Sequence, residues 1–201
     1  MSGSEVKVKP LEQQQRELER VLGRPQEVGL PQPFLMQEGE FRLLKGSMSD
    51  GRSQAQDVTL FILISSQIVV IRKPFHPPGV WRPPSGLVRR GEGLREAARR
   101  EALEETGLEI ELEKYLLRLQ PTFTHDGEEV HWTSHVFLAR RVGGELGARD
   151  TREIAAVRLV TPEELRGPIR ESLIRSGLGG LHYRAQVADL ALARLRELEV
   201  I

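Results

Sequence analysis

Apolar residues recur along the chain in two periods, and each change of period marks an element. From Leu11 to Leu22 the spacing is helical, with Leu11, Leu18, Val21 and Leu22 on one side, and Gly23 and Pro25 end the run. Residues 24–39 hold Pro25, Pro31 and Pro33 and read as an extended linker. Phe41 to Gly46 reads as a strand, and the polar residues 47–56 as a turn around Asp50-Gly51. Val58 to Ile64 and Gln67 to Arg72 read as two strands joined at Ser65-Ser66. Residues 73–85 form a proline-stiffened loop, and stiffness ahead of a site lowers the entropy of ordering it. Gly86, Gly91 and Gly93 make a permissive loop, followed from Leu94 to Thr106 by Ala, Leu, Glu and Arg, the best helix formers, and then by Gly107 as a stop. Glu109 to Gln120 reads as a strand, Pro121 to Glu129 as a polar loop turning at Asp126-Gly127, and Val130 to Arg141 as one strand with two faces. Val142 to Arg152 is a Gly-rich loop and Ile154 to Val160 a strand. Thr161 caps a helix with Pro162 at its first position, and a longer helix, about Tyr183 to Leu198, carries Val187, Leu190, Ala191 and Leu195 along one stripe. Strands, helix, strands, helix is the order of a mixed sheet covered by helices.

Composition narrows the picture. The chain has 201 residues, with Lys plus Arg 29 and Asp plus Glu 29. With zero net charge there is no bulk basic field to hold a nucleic-acid backbone, so no nucleic-acid partner is expected. There is no cysteine, which excludes disulfides and Cys-ligated zinc. The longest apolar run, Val58 to Ile64, is broken by Thr59 and is far short of a membrane span, and the N-terminus lacks the apolar core of a signal peptide. A cytoplasmic protein with no membrane association is the expectation. Residues 1–56 form an N-terminal extension, helix plus strand, too small for a core of its own; it either packs on the main domain, 57–201, or joins a partner subunit.

Chemistry concentrates on the helix at 94–106. Glu101, Glu104 and Glu105 stand at i, i+3 and i+4 and share one face. Like charges at that spacing repel, and in the last turn the helix dipole disfavours them further. A hard divalent cation offsets both penalties, because Mg²⁺ and Mn²⁺ want oxygen ligands. A solvated acidic face accounts for the spacing equally well. The frame around the acids separates the two readings. The residues fit G-x5-E-x7-R-E-U-x-E-E-x-G-U, where U is apolar, at Gly86, Glu92, Arg100, Glu101, Ala102, Glu104, Glu105, Gly107 and Leu108. A chance fit in a chain of this composition is on the order of one in 10⁵ or rarer. The stretch resembles the signature of the Nudix hydrolase family; Ala102 is small for its position.

That resemblance implies an α/β/α sandwich with a mixed sheet, and metal-dependent hydrolysis of a nucleoside diphosphate linked to another group. It implies Mg²⁺ or Mn²⁺ held by Glu101, Glu104, Glu105 and the Gly86 carbonyl, with Glu92 and Arg100 in support. Family members often add a carboxylate from a loop beyond the box. Glu145, Asp150 and Glu153 are the candidates, with Asp150 and Glu153 nearest the expected place. Arg72, Lys73, Arg82, Arg89 and Arg90 are candidates for substrate phosphates, Arg72 and Arg82 foremost. Trp81 either stacks on a base or fills the core. On one strand, His131 and His135 would stand roughly 13 Å apart, too far for one ion, so they read as hydrogen-bonded or substrate-facing. The approach Trp-Arg-Pro-Pro-Ser-Gly86 and the front extension resemble the ADP-ribose pyrophosphatase branch, which implies an ADP-ribose or nucleotide-sugar substrate and a homodimer. The rivals are a nucleoside triphosphate substrate in a sanitising role and a Nudix-like module that binds a nucleotide without cleaving it.

Overall fold

The structure is a computed structural model that describes residues 11–49 and 53–201. In chain order its elements are α1 (Leu11–Leu22), β1 (Gln26–Gly29), β2 (Phe34–Leu35), α2 (Glu38–Ser49), β3 (Ser53–Ile64), β4 (Gln67–Arg72), β5 (Ser85–Arg89), α3 (Leu94–Thr106), β6 (Leu108–Gln120), β7 (Thr122–His125), β8 (Glu128–His131), β9 (Thr133–Gly144) and β10 (Ala156–Val160). A short helical stretch follows, made of α4 (Pro162–Glu164), a wide turn over Leu165–Ile169 and α5 (Arg170–Arg175), and then α6 (Gly179–Glu197). A seven-stranded mixed sheet runs β1-β6-β9-β3-β4-β10, with β5 paired to β3; β2, β7 and β8 form a second, small sheet. β1 runs parallel to β6 and β3 parallel to β9, so the expected mixed sheet is present.

Alternation along β3 sorts the core into two layers. Val58, Leu60 and Ile62 pack with Leu18 and Leu22 of α1 and with Leu94, Ala97, Ala98 and Ala102 of α3. Phe61 packs on the opposite face with Phe41 of α2, Leu173 of α5 and the α6 residues Val187, Ala191 and Leu195. Both faces of the sheet are therefore covered by helices, which explains why β3 and β4 read as apolar runs rather than strict alternation.

Several boundaries differ from the sequence expectation. Residues 41–46 lie inside helix α2, not a strand: Phe41 is 4% exposed and Leu43 is 77% exposed, and Leu44 and Met48 join Phe41 against the core at helical spacing. The linker at 24–39 contains β1 and β2, whose pairing comes from distant β6 and β7. Val21 is 71% exposed rather than on the buried side of α1. The single strand expected from Val130 to Arg141 breaks at Trp132, whose N–H donates to the Pro121 carbonyl (3.0 Å); β8 lies in the small sheet and β9 in the large one. Gly86 is in strand β5, opposite Val58, rather than in a loop. Asp50-Gly51 lies outside the described residues. The turn at Asp126-Gly127 and the Thr161 cap stand where the sequence put them, and Glu164 completes a capping box with Thr161.

Candidate active site

Helix α3 ends where the sequence says it must. Gly107 takes the left-handed conformation (φ 71°), and a Cβ there would stand 2.4 Å from the Gly147 carbonyl oxygen. The loop after β9 closes over this end. Gly147 N–H donates to Thr106 O (2.9 Å), and Arg149 and Asp150 N–H groups donate to Glu104 O (3.1 and 3.2 Å). Carbonyls left over by the last turn thus find partners, and that pairing carries Asp150 and Glu153 to the acidic face of α3. The two loop acids share a cavity of about 520 Å³ with Lys73, Ser85, Gly86, Arg89, Arg90, Glu101, Glu104 and Glu105. Glu145, the third loop acid considered, is exposed and does not line it.

The three helix acids occupy different surroundings. Glu105 is 3% exposed. It accepts the Ser85 N–H (2.8 Å) and stands 3.5 Å from Arg82 Nη2 and 3.7 Å from Lys73 Nζ. Burial pushes its pKa up, against the pull of Arg82, Lys73 and the Ser85 N–H. Glu101 is 9% exposed, and its carboxylate carbon lies 1.9 Å from where a Cβ on Gly86 would be, so a side chain there would displace that carboxylate. Burial first, and then repulsion by Glu105, raises the Glu101 pKa to about 7 despite Arg100. The Glu104 side chain is 43% exposed and meets Arg89 at 3.6 Å.

Arg100 ties the face together. It donates from Nε and Nη2 to Glu92 (2.7 and 2.8 Å), from Nη2 to the Leu87 carbonyl (2.9 Å), and from Nη1 to Glu101 and Glu104. Glu92 also accepts the Arg89 N–H (3.0 Å). Burial opposes the charge on both partners, but these bonds win, holding Glu92 below and Arg100 above their ordinary pKa values.

Among the described residues no three acidic or histidine side chains converge on one point as they stand. Arg100 Nη1 takes up an oxygen of Glu101 and one of Glu104, while Lys73 and Arg82 flank Glu105. The donor set nonetheless fits a hard divalent cation. Carboxylates and a backbone carbonyl are its preferred ligands, and Glu101, raised to about 7 by burial and then by Glu105, is a group whose charged form such an ion would favour.

Of the basic residues considered for substrate phosphates, the two placed foremost, Arg72 and Arg82, do not line the cavity. Arg82 is 5% exposed, with Nη1 donating to Pro83 O (3.0 Å) and Ser85 Oγ (2.7 Å). Burial lowers its pKa and Glu105 opposes that, so it backs Glu105 from beneath instead of facing the cavity. The Arg72 guanidinium lies 5.8 Å from the centre of the Trp81 ring. Lys73, Arg89 and Arg90 are the cations that line the cavity. Spacing alone could not separate these groups, since burial depends on how the 73–85 loop folds back: the Arg82 backbone pairs with Ile71 in β4. Histidines 125, 131 and 135 are hydrogen-bonded, to Met36 O, to Thr122 Oγ1, and to Tyr115 and Gln56 respectively. An ion pair absent from the sequence reading joins the half-buried Arg184 of α6 to the buried Asp57 of β3 (2.7 Å) and to Thr59 Oγ1 (3.0 Å). Nothing in its local sequence announces it, because the partners are 127 positions apart.

Known proteins resemble this chain in sequence and in fold. The chain is 36% identical over 117 residues to "Putative mutator protein MutT4" of Mycobacterium tuberculosis (strain CDC 1551 / Oshkosh), covering 58% of this chain and 44% of that protein. It is 31% identical over 106 residues to "RNA pyrophosphohydrolase" of Erythrobacter litoralis (strain HTCC2594), covering 43% of this chain and 62% of that one. The chain therefore spans only part of the length of these relatives. Among solved structures, a UDP-X diphosphatase superposes with a TM-score of 0.55 at 18% identity, over 81% of this chain and 73% of that one. A NUDIX hydrolase from Nitrosomonas europaea superposes with a TM-score of 0.50 at 18% identity, over 69% and 88%. At those identities the likeness shows the fold. Residues 54–176 match the family described as NUDIX domain, a span that holds the whole of α3 and its cavity, and the chain belongs to that family.

Proposed function

We propose that the protein hydrolyses the pyrophosphate linkage of a nucleoside diphosphate joined to another group, with Mg²⁺ or Mn²⁺. The observation that carries this reading is the cavity itself, where Glu101, Glu104, Glu105, Asp150 and Glu153 face Lys73, Arg89 and Arg90. Acid oxygens suit cations, and the amine and guanidinium groups interleaved with them, Lys73 beside Glu105 and Glu153 and Arg89 beside Glu104, suit phosphate oxygens. Glu101, Glu104, Glu105 and the Gly86 carbonyl hold the cation, which supplies Lewis acidity and neutralises charge on the pyrophosphate. Arg100 aims Glu101 and Glu104, and Glu92 fixes Arg100. Lys73, Arg89 and Arg90 orient the phosphates, while one of the box carboxylates, Asp150 or Glu153 takes the proton of the attacking water.

The substrate we favour is ADP-ribose or a nucleotide sugar, on the form of the Trp81-Arg82-Pro83-Pro84-Ser85-Gly86 approach and the front extension. The two relatives, a putative mutator protein and an RNA pyrophosphohydrolase by name, favour a triphosphate as the second reading. Product analysis over ADP-ribose, nucleotide sugars and nucleoside triphosphates with Mg²⁺ decides between them; cleavage of triphosphates alone would remove the first. Glu104→Gln combined with Glu105→Gln is expected to abolish Mg²⁺-dependent turnover while the far-ultraviolet circular dichroism stays unchanged. Turnover equal to that of the parent would overturn the catalytic reading in favour of other chemistry. Asp150→Asn and Glu153→Gln test the loop acids one at a time, and full activity in both would leave the proton to the box carboxylates.

A further inference from the structure

We propose that Phe75 is a stacking platform for the base of a nucleotide whose phosphates occupy the cavity beside Lys73. The inference rests on the nucleotide reading above and adds the group that would hold the base.

The chain has six Phe, two Trp and two Tyr. All are described, and every ring except Phe75 is buried or half-buried; Phe75 is 71% exposed. A single apolar side chain on a surface is common and decides nothing by itself. Position makes the difference. Phe75 follows Lys73 by two residues, and the Lys73 ammonium lies 5.9 Å from the ring centre, 3.7 Å from Glu105 and 3.3 Å from Glu153. The ring and the carboxylates of the cavity thus share one cation as neighbour. A phosphate drawn to Lys73 brings its nucleoside to the ring.

The loop is also built to hold the ring in place. Pro74, Pro77 and Pro78 limit its backbone. His76 N–H turns back to Lys73 O and Val80 N–H to Pro77 O, each at 3.2 Å. The His76 ring meets Phe75 edge-on, with centres 5.0 Å apart at 82°, bracing it from the side. A ring already fixed loses little entropy when a base lies on it. The other aromatic near the site is engaged elsewhere. Trp81 packs against the core, with the guanidinium groups of Arg158 and Arg72 at 4.8 and 5.8 Å from its ring centre.

Stacking asks only for a π-face, so Phe75 selects compounds that carry a base over base-free phosphates, and discriminates weakly among bases. The test compares Phe75→Ala and Phe75→Trp with the parent. Expected for Phe75→Ala is a rise of about 5- to 150-fold in KM for nucleotide substrates and in the inhibition constant of ADP. We expect kcat to stay near the parent value and inhibition by inorganic pyrophosphate to be unaltered. Phe75→Trp is expected to restore both constants. Unchanged KM and ADP affinity in Phe75→Ala would overturn the proposal. So would an equal loss for pyrophosphate, which would mean the loop had moved. If no compound is turned over, the tryptophan emission of Phe75→Trp is titrated with ADP and with pyrophosphate. Quenching by ADP alone supports the platform while the hydrolase reading fails, and no response to ADP removes the platform.

Discussion

Glu101 and His135 are both buried and both shifted, and they pull stability in opposite directions with pH. Folding raises the Glu101 pKa from 4.5 to about 7, through burial first and Glu105 second. Between those values the folded chain binds more protons than the unfolded one, so this contribution is present at acid pH and lost as pH rises through 7. In the presence of a chelator, Glu101→Gln is expected to be more stable than the parent at pH 8, by up to about 3 kcal/mol, with the gap closing towards pH 5. Urea unfolding at the two pH values checks this; a gap that does not change with pH would sink it. His135, held neutral by burial, has its pKa lowered from 6.5 to about 3. Here the unfolded chain binds the extra proton, so stability is present above 6.5 and falls as pH drops, by about 1.4 kcal/mol per unit. Nuclear magnetic resonance should find the His135 ring neutral down to pH 4, and a midpoint near 6 would contradict its burial. At this scale the sequence placed the box acids correctly by spacing, but it could not say that Arg82 is buried or that Lys73 bridges Glu105 and Glu153.

Helix α3 lies close against the sheet because the residues on its inner face are small. Ala97, Ala98 and Ala102 are all fully buried. Ala102 departs from the larger aliphatic the family pattern usually has, and it has no exposed surface. Ala102→Leu is therefore expected to destabilise by about 1–3 kcal/mol through overpacking, measured as a lower Tm. Gly107→Ala adds a strained φ and a clash with the carbonyls of Glu145 and Gly147. It should cost more than about 1 kcal/mol and also reduce activity, because the loop it displaces carries Asp150 and Glu153. An active, fully stable Gly107→Ala protein would show that the loop is not held by the end of the helix. Elements with local signals, such as α3 with its terminal glycine and the Thr161 cap, were legible. Helix α2 was not, because Phe41-Arg42-Leu43-Leu44 suits either period. Part of what fixes it is tertiary: Glu40 accepts the N–H groups of Gly179 and Gly180 at the start of α6.

Across the whole molecule, the ion pair between buried Asp57 and half-buried Arg184 joins the last helix to the central strand. Asp57 is 2% exposed, so Arg184→Met would leave a carboxylate buried without its partner. The expected loss is about 3–5 kcal/mol in chemical unfolding, and a loss under about 1 kcal/mol would show that water replaces the guanidinium. The front segment packs on the same sheet, with β1 beside β6 and Leu18 and Leu22 of α1 in the core. Treating residues 1–56 as an extension that also mediates a homodimer remains our proposal. Leu35 and Leu43, 71% and 77% exposed, give that extension apolar surface. Sedimentation over a wide concentration range tests it, and a monomer throughout would remove it. Among the described residues no helix is long and apolar enough to cross a membrane.

What the sequence determined by itself is whatever neighbouring residues decide among themselves. Helical spacing put Glu101, Glu104 and Glu105 on one face, Gly107 ended their helix, apolar runs marked β3 and β4, and alternation marked β6. Tertiary structure decided everything that depends on what comes from far along the chain. It buried Arg82 and left Phe75 exposed, split the strand at Trp132, turned 41–46 into a helix and drew Asp150 and Glu153 to the cavity. The physical reason is that burial and unpaired backbone groups are settled only when distant segments meet, and no short stretch carries that information.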